Sequence, residues 1–267
     1  MKEKIFKKPT VVLMICTLWV TCFFSSCGTG NKAGTARTGI IGAMDEEVNS
    51  LKDAMTDKKI TTVAGMEFCE GKLDEKDVIV VKCGMGKVNA GICAQILVDH
   101  YDVGRVINTG VAGSLDAQID IGDVVISTET VQHDFDLTPI GYQRGELDSP
   151  RMIAIPADEE MRATAVEAVK EVASDIQAFE GRICSGDQFV ASKEQKESIV
   201  SDFQGMCCEM EGGAIAQVCY LNNVPFVIIR AISDKADDSE EVSYETFKEG
   251  AAEHCAAVAR YVVRKMG

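Results

Sequence analysis

Glu209 and Glu211 flank Met210, and Arg230, Ser233 and Asp234 follow later in the chain. Carboxylates beside a guanidinium make an acid–base set. A buried carboxyl can hold and deliver a proton, and ionised ones can stabilise positive charge as it develops. The segments that carry them read as a helix, a turn and a buried strand. Ala214, Ile215, Val218, Cys219 and Leu221 follow an apolar helical spacing, and Asn222-Asn223 with Pro225 stops it. Phe226 to Ile229 is a continuous apolar run, as expected of a parallel strand covered on both faces. Arg230 and Asp234 then sit at the strand's C-terminal end, where open α/β sheets bind ligands. For Glu209 and Glu211 a solvated first helical turn is the competing reading. For Asp234 it is a helix N-cap.

Asp45-Glu46-Glu47 is a second acidic group, after a glycine-containing turn. Asp45 and Glu46 read as first-turn acids complementing a helix dipole. Glu47, the third, is the candidate base. Phe189 could stack on a flat ring, or could be a core phenylalanine.

Several motifs in order carry a resemblance. They are Thr38–Met44 (TGIIGAM) with its acidic loop, Cys83–Ala90 (CGMGKVNA), Asn108–Leu115 (NTGVAGSL), His133-Asp134 with Gly141-Tyr142, Ser185–Phe189 (SGDQF), and the 207–234 segment. Over about residues 38 to 266 the chain resembles the 5′-methylthioadenosine/S-adenosylhomocysteine nucleosidases of the purine nucleoside phosphorylase superfamily. The resemblance implies hydrolysis of an N-glycosidic bond, releasing adenine and a 5′-thio-substituted ribose. The base must leave protonated, carboxylates must lie near the ribose, and a base must hold the attacking water. By resemblance Asp234 protonates adenine N7, oriented by Ser233. Burial after a strand would raise its pKa and help it keep the proton. Glu47 holds the water, shared with Arg230. Glu211 accepts from the ribose hydroxyls while Met210 packs on the sugar. Phe189 and the backbone of Val190 take the adenine, and Met44 and Tyr244 line the ribose and 5′ region. Ile140 and Tyr142 reach toward a neighbouring subunit's 5′ pocket, which implies a homodimer. Two positions depart from the family. Val111 stands where many relatives carry serine, and Tyr244 where phenylalanine is usual. The missing serine hydroxyl concerns rate rather than reaction type, at about 1 kcal/mol per net hydrogen bond.

The expected fold is α/β, a three-layer sandwich whose central mixed sheet is partly barrel-like, as in nucleoside phosphorylases. Strands alternating with helices support that class. The candidate elements are helices near 46–55, 88–101, 158–174, 192–200 and 244–266. Strands are expected near 39–43, 61–69, 72–73, 78–82, 103–108, 124–131 and 183–185. A turn is placed at Gly71, and 108–115 reads as a loop.

Residues 1–27 read as a lipoprotein signal peptide. Lys2, Lys4, Lys7 and Lys8 precede an apolar stretch from Val11 to Phe24, and Phe24-Ser25-Ser26-Cys27 resembles a lipobox with Cys27 as the lipidated residue. Residues 28–37 form a flexible tether, and 38–267 form a single domain. An exported, lipid-anchored protein of the bacterial envelope follows, contacting the membrane only through its anchor. The family is mostly cytoplasmic, so export implies a substrate pool or salvage role outside the cytoplasm.

The formal net charge is −15, and removing the leader's four lysines and one glutamate takes it to about −18. Such an excess repels nucleic acid and argues against a polybasic membrane surface. Of 11 cysteines, three fall in the leader. Cys83, Cys93, Cys184 and Cys219 lie in apolar elements, and adjacent Cys207-Cys208 suits neither a zinc site nor an easy disulfide. Free structural thiols are therefore expected, with no metal and no cofactor. Three rival functions remain at this point, one of them hydrolysis of another 6-substituted purine nucleoside, for which only the loops of the 5′ pocket and the base edge would differ. A phosphorylase would need cations for phosphate, where this chain offers acids and Lys87. An exported lipoprotein that binds purine nucleosides without turnover would have no use for three converging carboxylates.

Overall fold

A computed structural model describes residues 37–173, 176–236 and 240–267, and no side chains for 240–243. The leader, Cys27 and most of the tether lie outside the described residues. Ten strands form one sheet, β1 (Thr38–Gly42), β2 (Thr56–Val63), β3 (Met66–Leu73), β4 (Lys76–Lys82), β5 (Arg105–Ser114), β6 (Val124–Gln132), β7 (Ala154–Pro156), β8 (Ala178–Ser185), β9 (Cys207–Glu209) and β10 (Phe226–Asp234). Six α-helices accompany them among the described residues: α1 (Asp45–Ala54), α2 (Lys87–Tyr101), α3 (Glu159–Val172), α4 (Lys193–Phe203), α5 (Gly212–Leu221) and α6 (Glu240–Met266).

The sheet closes on itself at one end. β10 pairs parallel to β5 and antiparallel to β6. From β6 the ladder continues through β8 and β9 back to β5. These five strands make a small barrel. β1, β4, β3 and β2 extend the sheet from the other side of β5. The mixed, partly barrel-like sheet expected from the sequence is therefore present.

Two apolar layers cover it. Val48 and Leu51 of α1, Met161 and Ala165 of α3, and Cys255 and Val262 of α6 pack on one face with Ile40, Ile107 and Ile229. Cys93 and Leu97 of α2 and Ile215 and Cys219 of α5 pack on the other with Ile41, Ile79 and Ile228. Strands buried on both faces read as unbroken apolar runs, which is why 226–229 and 78–81 were recognisable. Gly39 sets the spacing of β1 to α2, since a Cβ there would lie 2.9 Å from Leu97 Cδ1. Fully burying a leucine such as Leu97 stabilises the fold by about 1.5–3 kcal/mol.

Three local expectations are corrected. The turn at Gly71 is absent: the hairpin turns at Ala64-Gly65, both at positive φ, and Gly71 lies inside β3 opposite Val78. Gly71 has no Cβ because one would meet the carbonyl oxygen of Thr56 at 2.6 Å. The stretch 108–115 is strand rather than loop through Ser114, its glycines admitting side chains from neighbouring elements. The short strand β9, before the helix, had no periodicity to reveal it. Elsewhere the helices lie within a few residues of expectation, and Ser192 caps α4 by accepting from Gln195 N at 3.3 Å.

Candidate active site

The cleft opens where the C-terminal ends of β1, β5 and β10 meet the start of α1, β9 and α6. Its volume is about 560 Å³ including the open mouth, and Met44, Glu47, Val111, Phe189, Val190, Met210, Glu211, Ser233, Asp234 and Tyr244 all line it. These ten are residues the sequence singled out, drawn from six separate segments. Ile140 and Tyr142 are not brought to the cleft of their own chain. Ile140 is exposed on a short 3₁₀ turn, and Tyr142 donates to Asp148 at 2.5 Å.

Glu47 is held by geometry at the start of α1. Its carboxylate folds back to accept from Ala43 N at 2.6 Å and Met44 N at 3.0 Å, and its other oxygen accepts from Val111 N at 3.1 Å. Folding back onto the N-cap amide is half of a capping box. Burial pushes its carboxyl above the usual range, against the pull of Arg230 and those three amides. A raised carboxyl is a better base at neutral pH. Asp45 and Glu46 behave as first-turn acids, Asp45 pairing with Lys82 at 2.7 Å and Glu46 approaching Lys248 at 4.0 Å.

Asp234 ends β10 with 3% exposure. Ser233 Oγ donates to its Oδ2 at 2.8 Å, and Ala236 N to its Oδ1 at 2.9 Å. The helix that follows begins at Glu240, so Asp234 is not its N-cap. Gly113 makes room for it, since a Cβ there would lie 2.7 Å from Oδ1.

Glu211 accepts from Gly86 N at 2.8 Å, the glycine turn before α2 supplying the amide. Burial first, then the charge of Glu209, pushes Glu211 up to about 7. Phe189 is half exposed at the mouth, and its ring meets that of Tyr244 edge-on with centroids 5.5 Å apart. The Tyr244 hydroxyl donates to Met44 Sδ at 3.1 Å, so the departure from phenylalanine ties α6 to the loop between β1 and α1. Val111 offers no hydroxyl, but its backbone N–H still serves Glu47.

Two residues differ from expectation. Arg230, expected to share the attacking water, is 1% exposed and does not line the cleft. It lies behind, donating to Glu209 Oε2 at 2.5 Å and Asn108 Oδ1 at 2.6 Å. Glu209 is no solvated turn acid: it is buried, and accepts from Ser185 Oγ, Arg230, Glu211 N and Gly212 N. Asn108, Ser185 and Gly110 also belong to this wall and went unassigned. Their motifs NTGVAGSL and SGDQF were visible, but no single residue type in them announces a role.

Among the described residues, the cleft walls carry four carboxylates, from Glu47, Glu209, Glu211 and Asp234, and no lysine or arginine. Lys87, the cation of the glycine turn, is bound to Asp134 at 2.5 Å and Gln132 at 3.1 Å. A phosphate dianion placed here would face these carboxylates with no lysine or arginine among the described lining residues to offset its charge.

The profile of the phosphorylase superfamily matches residues 37–265. The chain belongs to that superfamily. Within it, the chain is 42% identical over 86% of its length, and 99% of the relative's, to the 5′-methylthioadenosine/S-adenosylhomocysteine nucleosidase of Psychromonas ingrahamii. It belongs to this nucleosidase family. The nucleosidase of Colwellia psychrerythraea, solved with adenine, superposes with TM-score 0.84 at 38% identity, covering 87% of this chain and 96% of that one. The futalosine hydrolase of Helicobacter pylori superposes with TM-score 0.82 at 35% identity, covering 86% and 98%. Fold and superfamily membership agree with the geometry of the cleft.

Proposed function

We propose that the protein hydrolyses the N-glycosidic bond of 5′-methylthioadenosine and S-adenosylhomocysteine, releasing adenine and the 5′-thio-substituted ribose. The observation that carries this is the convergence of Glu47, Glu211 and Asp234 in one cleft whose lining, among the described residues, holds no cation. Asp234, steadied by Ser233, delivers a proton to the leaving base. Glu211 accepts from the ribose hydroxyls and offsets charge at the anomeric carbon, with Met210 against the sugar. Glu47 takes the proton of the attacking water. Phe189 stacks on the adenine, with Val190 beneath its edge and Met44 and Tyr244 toward the 5′ group. The relative solved with adenine supports the base assignment.

The test is adenine release in phosphate-free buffer from methylthioadenosine, S-adenosylhomocysteine and futalosine, with a chain starting at residue 28. Release from the first two is expected, and Asp234→Asn should abolish it while leaving the fold intact. Release that requires added phosphate would make the protein a phosphorylase. Release from futalosine alone would assign the 5′ pocket differently.

The reading extends to assembly and location. Ile140 is 71% exposed on a turn that reaches no cleft of its own chain, which suits contact with a second copy. The basic, then apolar, then Ser-Ser-Cys order of residues 1–27 supports lipidation at Cys27 and an anchored envelope protein. No described helix is long and apolar enough to cross a membrane.

A further inference from the structure

Behind the cleft, one guanidinium serves three buried carboxylates, and the share is unequal. Arg230 Nη2 lies 2.5 Å from Glu209 Oε2 but 3.7 Å from Glu211 Oε2. Its second acceptor is Asn108 Oδ1, and Asn108 is itself fixed by donating to Ile41 O at 2.9 Å. Glu209 is saturated: Ser185 Oγ donates to one oxygen, and Arg230, Glu211 N and Gly212 N donate to the other. Ser185 is held in turn by Gly213 N at 2.6 Å. Glu47 and Arg230 approach each other above Gly110, where a Cβ would lie 2.5 Å from Glu47 Oε1 and 2.4 Å from Arg230 Nη1.

We propose that Glu209 is a positioning residue for the hydrolysis. It captures Arg230 against the barrel wall, so that the guanidinium hydrogen-bonds Glu209 and Asn108, its ion pair with Glu211 stays loose at 3.7 Å, and Glu211 and Glu47 stay available to the ribose and the water. This rests on the hydrolytic reading above. A carboxylate locked to a bidentate donor would be a poor acceptor for a sugar hydroxyl and a weak base. Glu209 accepts that role in their place, which explains why a residue beside the cleft makes no free hydrogen-bonding surface.

The electrostatics agree. Burial resists ionisation of Glu209, yet Arg230, Ser185 and Gly212 outweigh it and hold its carboxyl below the usual range. Its charge in turn helps burial raise Glu211. The groups facing Glu209 are Arg230 on β10, Glu211 at the start of α5, His133 after β6, Cys184 on β8, and Cys207 and Cys208 on its own strand, while Glu47 on α1 faces the same Arg230. Burial holds His133 in its neutral form, and it holds the three thiols protonated. Arg230 and Glu209 therefore carry the fixed charge of this wall, and Glu47 and Glu211 are the groups left to titrate.

The experiment uses Glu209→Gln and Glu209→Asp. In Glu209→Gln the freed Arg230 pairs with Glu211 and Glu47, lowering both carboxyls. The acid limb of kcat/KM then moves about one unit to lower pH, KM rises, and kcat falls by about tenfold or more. Glu209→Asp keeps the charge and returns the limb toward its original position. A folded Glu209→Gln with an unmoved limb and unchanged kcat would overturn the proposal, as would a loss confined to thermal stability. A second measurement needs neither that variant nor turnover. Carbon-13 NMR of the glutamate carboxyls, with the signal of Glu211 assigned by its loss in Glu211→Gln and that of Glu209 by its loss in Glu209→Asp, should show Glu211 titrating well above ordinary carboxylates and Glu209 below them. Glu211 in the ordinary range, or Glu209 above it, would refute the positioning role even if the protein hydrolyses nucleosides.

Discussion

Replacing Gly110 by alanine would test whether the active wall is as tightly built as the distances indicate. Gly110 is not in the left-handed region, so alanine costs nothing in backbone conformation. The new Cβ would sit 2.4 Å from Arg230 Nη1 and 2.5 Å from Glu47 Oε1. Ordinary contact begins at about 3.4 Å, so two buried charged ends must retreat by about 1 Å. Both are the tips of flexible side chains, and on a surface they would swing aside cheaply. Here Arg230 is 1% and Glu47 3% exposed, and each is held by hydrogen bonds on its far side. Overpacking of this kind costs about 1–3 kcal/mol of stability. A 1 Å misplacement of a catalytic group costs on the order of 100-fold in rate. Gly110→Ala should therefore melt several degrees lower and release adenine about 100-fold more slowly, with most of the loss in kcat. The assays are the absorbance change on adenine release and a thermal melt monitored by circular dichroism. A variant with unchanged kcat and melting temperature would show that the wall yields freely, and the reasoning from these contacts would fail.

Glu211 gives a pH prediction. Its folded pKa is raised from 4.5 to about 7, so the folded state holds a proton that the unfolded state has lost. This group's contribution to stability is full below the unfolded value and declines as pH rises from 4.5 toward 7. Melting temperature against pH should fall less over that window in Glu211→Gln than in the parent; identical slopes would refute it. The eight described cysteines, Cys69, Cys83, Cys93, Cys184, Cys207, Cys208, Cys219 and Cys255, are all free and buried. Burial raises Cys69, and it pushes Cys184 and Cys219 up to about 12 and Cys255 up to about 11. A chain starting at residue 28 should therefore react with a thiol reagent only after unfolding, and fast labelling of the native form would contradict this. Palmitate-analogue labelling of the full chain should depend on Cys27, and equal labelling of Cys27→Ala would remove the anchor.

The sequence was most readable where periodicity or composition is strong. The buried strand before Arg230, the helix after Glu211 and the acidic turn at Glu47 follow from patterns of side-chain type. Ten residues of the cleft were recognisable because the motifs come in order. What stayed hidden depends on partners far along the chain. Glu209 looks like any first-turn acid until Arg230, twenty-one residues later, is placed against it. Asn108 and Gly110 lie in a glycine-rich stretch that reads as loop, because a strand whose Cβ positions are left empty for other side chains carries no alternating pattern. Arg230 was assigned to the cleft because it follows a strand end. Its side chain instead points into the barrel wall, where three carboxylates draw it.

The pairing of β5 with β10 joins residues 106–113 to 226–234, and Tyr244 reaches Met44 across 200 residues. Almost nothing of the cleft is therefore local. A ribosome-bound chain has Glu47 and its helix early, yet nothing to face them until the last segment is released. Closing loops of that length makes folding slow compared with helical proteins. Activity should then appear in a single late step together with barrel closure, so that partly made or truncated chains carry no residual turnover.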